Sequence, residues 1–106
     1  MTGQYRQGDV LLCVIDEVPP DVKPVANNGD RVVVALGEQT GHAHAFAADR
    51  VEMLQEKRSR RSFLVIGEGG AVLAHEEHDP ILVPAGCYEL RRQREYAPAM
   101  PRLVLD

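Results

Sequence analysis

The chain has four histidines in two close pairs: His42 and His44 in "GEQTGHAHAF" (37–46), His75 and His78 in "AHEEHDP" (74–80). Imidazole is the commonest metal ligand among side chains. On a strand, residues i and i+2 project from the same face. His42 and His44 would then point together, roughly 7 Å apart at Cβ. Two imidazoles so placed can converge on one ion, with bonds of about 2.0–2.1 Å for zinc. His75 and His78 would face opposite ways on an uninterrupted strand. They become cross-strand partners, with Cβ atoms about 4.5–5.5 Å apart, if Glu76-Glu77 is a hairpin tip. A wider loop including Asp79 serves equally well, because Glu-Glu suits tight turns with positive φ poorly. Either way the segment gathers two imidazoles and three carboxylates.

Such a set suits a divalent transition metal: Zn, Fe, Mn, Ni or Cu. The expected ligands are His42, His44, His75 and His78. In a catalytic centre the metal would act as a Lewis acid or hold an activated water or O₂, with Glu76, Glu77 or Glu89 as candidate general bases. Four histidines closing the shell would make the site structural instead. The competing reading makes the histidines hydrogen-bonded or surface groups, since HxH and HxxH are each weak motifs. A shared centre is favoured because every histidine belongs to a ligand-spaced pair beside a turn.

The elements that must carry these residues read as strands. "DVLLCVIDEV" (9–18) is apolar on both alternating faces, as in a central strand covered on both sides. Pro19-Pro20 ends it, and "DVKPVANNGD" (21–30) reads as a long loop. "RVVVALGE" (31–38) is a second strand. "HAHAFA" (42–47) alternates, with His42, His44 and Phe46 on one face and alanines packing against the core on the other. "RVEMLQ" and "FLVIG" are expected to form a hairpin with "KRSRRS" at its tip. "AVLAH" and "PILV" are strands flanking "EEHD", and "CYELRRQREY" (87–96) is a long strand. Frequent Gly and Pro and the lack of helical crossovers predict an all-β single domain, a small barrel or sandwich, spanning 1–106.

Composition sets further bounds. The 106 residues suit one domain, and 44% hydrophobic with 26% charged residues is ordinary for a soluble protein. No apolar run approaches a bilayer span of roughly 18 residues. Cys13 and Cys87 lie in apolar runs and no signal-peptide pattern precedes them, so they read as small buried hydrophobes in a reducing cytoplasm. The net charge of −4 argues against nucleic acid as the main partner. Two basic knots nevertheless stand out: Lys57, Arg58, Arg60 and Arg61, then Arg91, Arg92 and Arg94. The first reads as a solvated hairpin tip. Tyr88 and Tyr96 interleave with the second, which suits a sheet edge or an oligomer interface, where Arg and Tyr are enriched. Arg between Tyr also raises single-stranded nucleic acid as a third reading. The main alternative to a metal-binding barrel is therefore a homo-oligomeric accessory module with structural histidines.

Two resemblances accompany these readings. "GHAHAF" and "VPAGCYEL" resemble the two halves of the cupin signature, with Pro84 and Gly86 in the turn. The resemblance covers residues 37–90 and implies a cupin-like barrel. The chain departs from that pattern in two ways. Phe46-Ala47-Ala48-Asp49 stands where cupins carry a glutamate, and Tyr88-Glu89 where they carry a further histidine. More broadly, "YRQGDVLL", "GEQTGHAHAF", "HEEHDPILVPAG" and "YELRRQREY" resemble small uncharacterised bacterial and phage-associated proteins. That likeness implies a compact standalone domain and no particular chemistry.

Overall fold

Alternation and punctuation resolve into ten strands in the computed structural model, which describes residues 3–27, 29–36, 43–76 and 78–92. They are β1 (Gln4–Gln7), β2 (Val10–Ile15), β3 (Val22–Pro24), β4 (Arg31–Leu36) and β5 (Ala43–Ala47), then β6 (Val51–Glu56), β7 (Ser62–Ile66), β8 (Ala71–Leu73), β9 (Ile81–Val83) and β10 (Gly86–Arg92). Among the described residues there is no helix, and hence none long and apolar enough to cross a membrane.

Six strands form one antiparallel sheet in the order β1-β2-β10-β7-β6-β3. The hairpins β4–β5 and β8–β9 make two further ladders, joined by a bridge in which Ala45 and Ala74 exchange N–H···O bonds of 3.0 and 2.9 Å. The predicted β6–β7 hairpin forms, with Val51 opposite Ile66 and Gln55 opposite Ser62. The all-β expectation holds, but no sheet closes among the described strands, and β1 and β3 remain as edges.

One core unites these ladders. Val10, Leu12, Leu64, Ile66 and Tyr88 project from one face of the large sheet, and Val32, Val34, Phe46, Leu73 and Val83 meet them from the hairpins. Fully burying one such aliphatic or aromatic side chain is worth about 1.5–3 kcal/mol, which compensates for the scarcity of aromatics. β4 carries an irregularity opposite β5: Val33 pairs with Ala45 and Ala35 with His44, leaving Val34 as an extra residue. This is a β-bulge, which bends the strand and increases its twist. It lies directly beside His44.

Several expectations need correction. The 21–30 loop contains β3, a short edge strand, a setting in a sheet that accepts Pro24. With neither face wholly apolar, β10 reads as an edge or interface strand, yet it lies between β2 and β7. Its charged groups are accommodated because they pair. Burial pushes the Glu89 carboxyl up, but hydrogen bonds from Arg61 (3.1 Å) and Arg91 (3.0 Å) outweigh it and hold the group below its usual pKa. Tyr88 is not a surface group: it is buried in the core and its hydroxyl donates to the Pro84 carbonyl at 2.7 Å. β2 is covered on both faces only over Val10–Leu12, and Cys13 and Cys87 are half-buried free thiols.

Candidate metal centre

One end of the large sheet carries the chemistry. β1 and β2 are joined by Gly8-Asp9, with Gln7 opposite Val10, and Arg92 on β10 also lies opposite Val10. Gln7, Val10 and Arg92 therefore share the face that looks toward the hairpins. Onto this corner β5 delivers His44, which is buried at 4% exposure and lies on the same face as Phe46. The connection from β8 to β9, residues 74–80, delivers His75 and His78.

This connection is the wider loop, not a two-residue tip. It is pinned at three points. Ala74 bridges to Ala45, the Ala43 N–H donates to Glu76 Oε1 at 3.1 Å, and Gln7 Nε2 donates to the Asp79 carbonyl at 2.9 Å. The result is a three-imidazole cluster, in which one nitrogen from each of His44, His75 and His78 lies within 4.8 Å of the other two. Ring centroids are 4.2 Å apart for His44–His75, 4.7 Å for His75–His78 and 5.7 Å for His44–His78. The cluster grades from buried His44 through half-buried His75 to exposed His78, so it opens to solvent on one side.

The protonation of His44 follows from its neighbours. Gln7 is buried and its amide nitrogen donates to two carbonyls, Leu73 O at 2.8 Å and Asp79 O at 2.9 Å. Carbonyls only accept, so the amide NH₂ must face them and Gln7 Oε1 must face His44 Nδ1, 2.9 Å away. Nδ1 then carries the proton in the neutral ring, and Nε2 keeps its lone pair. Such an orienting hydrogen bond to the second ring nitrogen is typical of metal-ligating histidines. Burial, then the nearby His75, lowers the His44 pKa from 6.5 to about 4, with His78 and Arg92 adding and Asp9 opposing. The ring is neutral at pH 7, as a ligand must be.

Asp9 and Gly8 complete the corner. Asp9 Oδ1 lies 3.7 Å from His44 Nε2, while Oδ2 accepts from Arg92 Nε at 3.2 Å and Nη2 at 2.9 Å. Gly8 has φ of +59°, and a Cβ there would sit 2.8 Å from His78 Nε2 and 3.2 Å from His44 Cε1. Both its backbone conformation and its close approach to the rings require glycine.

Of the sequence-predicted residues, His44, His75 and His78 come together. His42, Glu77, Arg94 and Tyr96 lie outside the described residues. Glu76 sits beside the cluster as the loop's anchor on β5. Glu89 is on the opposite sheet face from Tyr88 and Arg92, paired with arginines, and is not brought to the histidines. Arg91 serves Glu89, and Arg92 serves Asp9 beside the cluster. At the hairpin tip, Arg58 reaches Asp21 at 3.9 Å and Arg61 reaches Glu56 at 3.8 Å and stacks over Phe63. Gln7, Gly8 and Asp9 were missed by sequence reasoning, although Gly-Asp just before the apolar run 10–15 is a hairpin-turn signal.

On the other face of β5, Ala43 and Ala45 are buried as expected, and Ala47 is exposed. With Val72 and Ala74 this face borders an open groove of about 520 Å³ that reaches His75 and Glu76 at one end and Asp30 and Arg31 at the other.

Fold and site together define an all-β domain with a three-histidine cluster at one end of its main sheet. The chain belongs to the family described as "Domain of unknown function (DUF8820)", whose model matches residues 6–93. That span includes the Gln7-Gly8-Asp9 turn and all three clustered histidines. No curated protein and no solved structure matches the chain.

Proposed function

We propose that this domain binds a divalent transition metal through His44, His75 and His78. The observation that carries this reading is the convergence of one nitrogen from each ring within 4.8 Å. Tetrahedral ligation with bonds of about 2.05 Å requires nitrogens about 3.3–3.4 Å apart, so the rings close by up to about 1.5 Å on binding. His78, exposed on its loop, has the freedom to supply most of that movement. Neutral imidazoles suit Zn, Fe, Ni or Cu. Three protein ligands and a solvent-facing side leave a position for water, an anion or a substrate, the arrangement of a catalytic rather than a closed structural centre.

Metal titration and metal analysis of chelator-treated protein test this. Wild type should saturate at a single ion per chain. His75→Ala/His78→Ala should lose more than the roughly 10–100-fold that even an outer-shell change costs. His42→Ala asks whether a fourth imidazole joins, and unchanged affinity would leave three ligands. If wild type showed no affinity for Zn, Fe, Mn, Ni or Cu, the proposal would fail.

A further inference from the structure

The turn between β1 and β2 brings a carboxylate to the histidines. Asp9 Oδ1 lies 3.7 Å from His44 Nε2. Both hydrogen bonds from Arg92, Nε at 3.2 Å and Nη2 at 2.9 Å, go to the other oxygen, Oδ2. The guanidinium thus fixes the carboxylate by one oxygen and leaves the other beside the ring. The same turn borders a second imidazole, since a Cβ on Gly8 would sit 2.8 Å from His78 Nε2.

The contact between Asp9 and His44 lacks a donor. His44 gives its Nδ1–H to Gln7 Oε1, so Nε2 of the neutral ring offers a lone pair, and a carboxylate oxygen likewise offers only lone pairs. Two acceptors this close repel each other unless a cation stands between them. Their spacing suits one. With a metal–nitrogen bond of about 2.05 Å and a metal–oxygen bond of about 2.1 Å, atoms 3.7 Å apart subtend about 125° at the ion, about 15° wider than a tetrahedral angle. His44 and Asp9 can therefore hold an ion nearly where they stand. The imidazole nitrogens, up to 4.8 Å from one another, have to close.

We propose that Asp9 is itself a metal ligand, bound through Oδ1 beside His44, and that it determines which metals the site accepts. This rests on the metal-binding reading above. His44 and Asp9 form the fixed half of the shell, and His75 and His78, on the 74–80 connection, close onto it. Imidazole suits Zn, Fe, Ni and Cu, whereas carboxylate suits harder ions such as Mn. The mixed set extends the site to Mn(II). An ion that takes five or six ligands keeps open positions toward solvent, while a four-coordinate ion would be closed by these four side chains.

Calorimetric titration of the chelator-treated full chain with Mn(II), Co(II) and Zn(II), in wild type, Asp9→Asn and Arg92→Gln, tests the proposal. Asp9→Asn preserves side-chain size and an oxygen for Arg92. It should weaken Mn(II) by more than the roughly 10–100-fold that an outer-shell change costs, and weaken Zn(II) less. Arg92→Gln retains the carboxylate and should stay within about ten-fold of wild type, below the loss of a ligand. A carboxylate that served only to pair with Arg92 would give the two variants equal losses. At saturating Co(II) the visible absorption, which reports the ligands themselves, should differ between wild type and Asp9→Asn. Urea denaturation of the metal-free variants separates ligand loss from unfolding. Wild-type Mn(II) affinity in Asp9→Asn, equal losses in both variants, or an unchanged cobalt spectrum would each overturn the assignment of Asp9 and leave the three-histidine reading standing. A wild type that takes up no metal removes that reading first, so the two failures are distinct.

Discussion

Replacing Gln7 with methionine, an uncharged residue of similar length, removes three hydrogen bonds at once. The bonds to Leu73 O and His44 Nδ1 are buried, and that to Asp79 O is partly buried. Each buried polar group left without a partner costs about 1–3 kcal/mol. The Leu73 carbonyl and the His44 N–H carry most of the loss, because water can replace the Asp79 contact. Apolar packing of the methionine returns part of it, for a net destabilisation of about 2–4 kcal/mol. That is a large fraction of the roughly 5–15 kcal/mol typical of a domain. Urea denaturation should show a lower midpoint at unchanged m-value. In parallel, ¹⁵N NMR of the histidine rings should find wild-type His44 protonated at Nδ1 and the variant in mixed tautomers, with zinc affinity down about 10–100-fold. A stability loss under about 0.5 kcal/mol, within the range of ordinary surface changes, or an Nε2-protonated His44 in wild type, would refute the assignment of Gln7 as the residue that orients this ring.

Gly8→Ala should cost about 1–2 kcal/mol from its left-handed backbone and should also displace His78, lowering metal affinity. Gly29→Ala is the control: its φ is +67° and nothing lies within 4 Å of where its Cβ would stand, so it should lose stability and keep the metal. Equal metal affinity in both variants would show that the close approach at Gly8 has no functional weight. Apo-protein stability should also fall with acid. The folded His44 pKa, about 4, lies below the unfolded value of 6.5, so between these values the unfolded chain binds the extra proton. The contribution is full above pH 6.5, declines as pH falls to about 4 and is spent below that. It amounts to at most about 3 kcal/mol. His44→Asn should flatten that part of the profile in urea denaturation of chelator-treated protein, and an unchanged slope would reassign the titrating group.

Strand content was legible because alternation is a local property: "HAHAFA", "RVEMLQ" and "FLVIG" each declare a face within a few residues. Strand neighbours are not local, and there the reading failed. Mixed charge on β10 suggests an edge when the strand is read alone. It becomes compatible with a central position only because Arg61, some thirty residues earlier, meets Glu89, and Asp9 meets Arg92. The same limit governs the histidines. Pair spacing pointed to His44, His75 and His78, but their convergence depends on the Ala45–Ala74 bridge and on Gln7, which holds carbonyls 66 and 72 residues away. A glutamine in a short amino-terminal strand carries no mark of that role. What the sequence does carry is "QGD", a turn that places an amide, a gap and a carboxylate in succession. Only when that turn is seen against the rings do the three take on separate tasks: Gln7 sets the tautomer of His44, Gly8 leaves room for His78, and Asp9 brings a negative charge, steadied by Arg92, to within 3.7 Å of His44 Nε2.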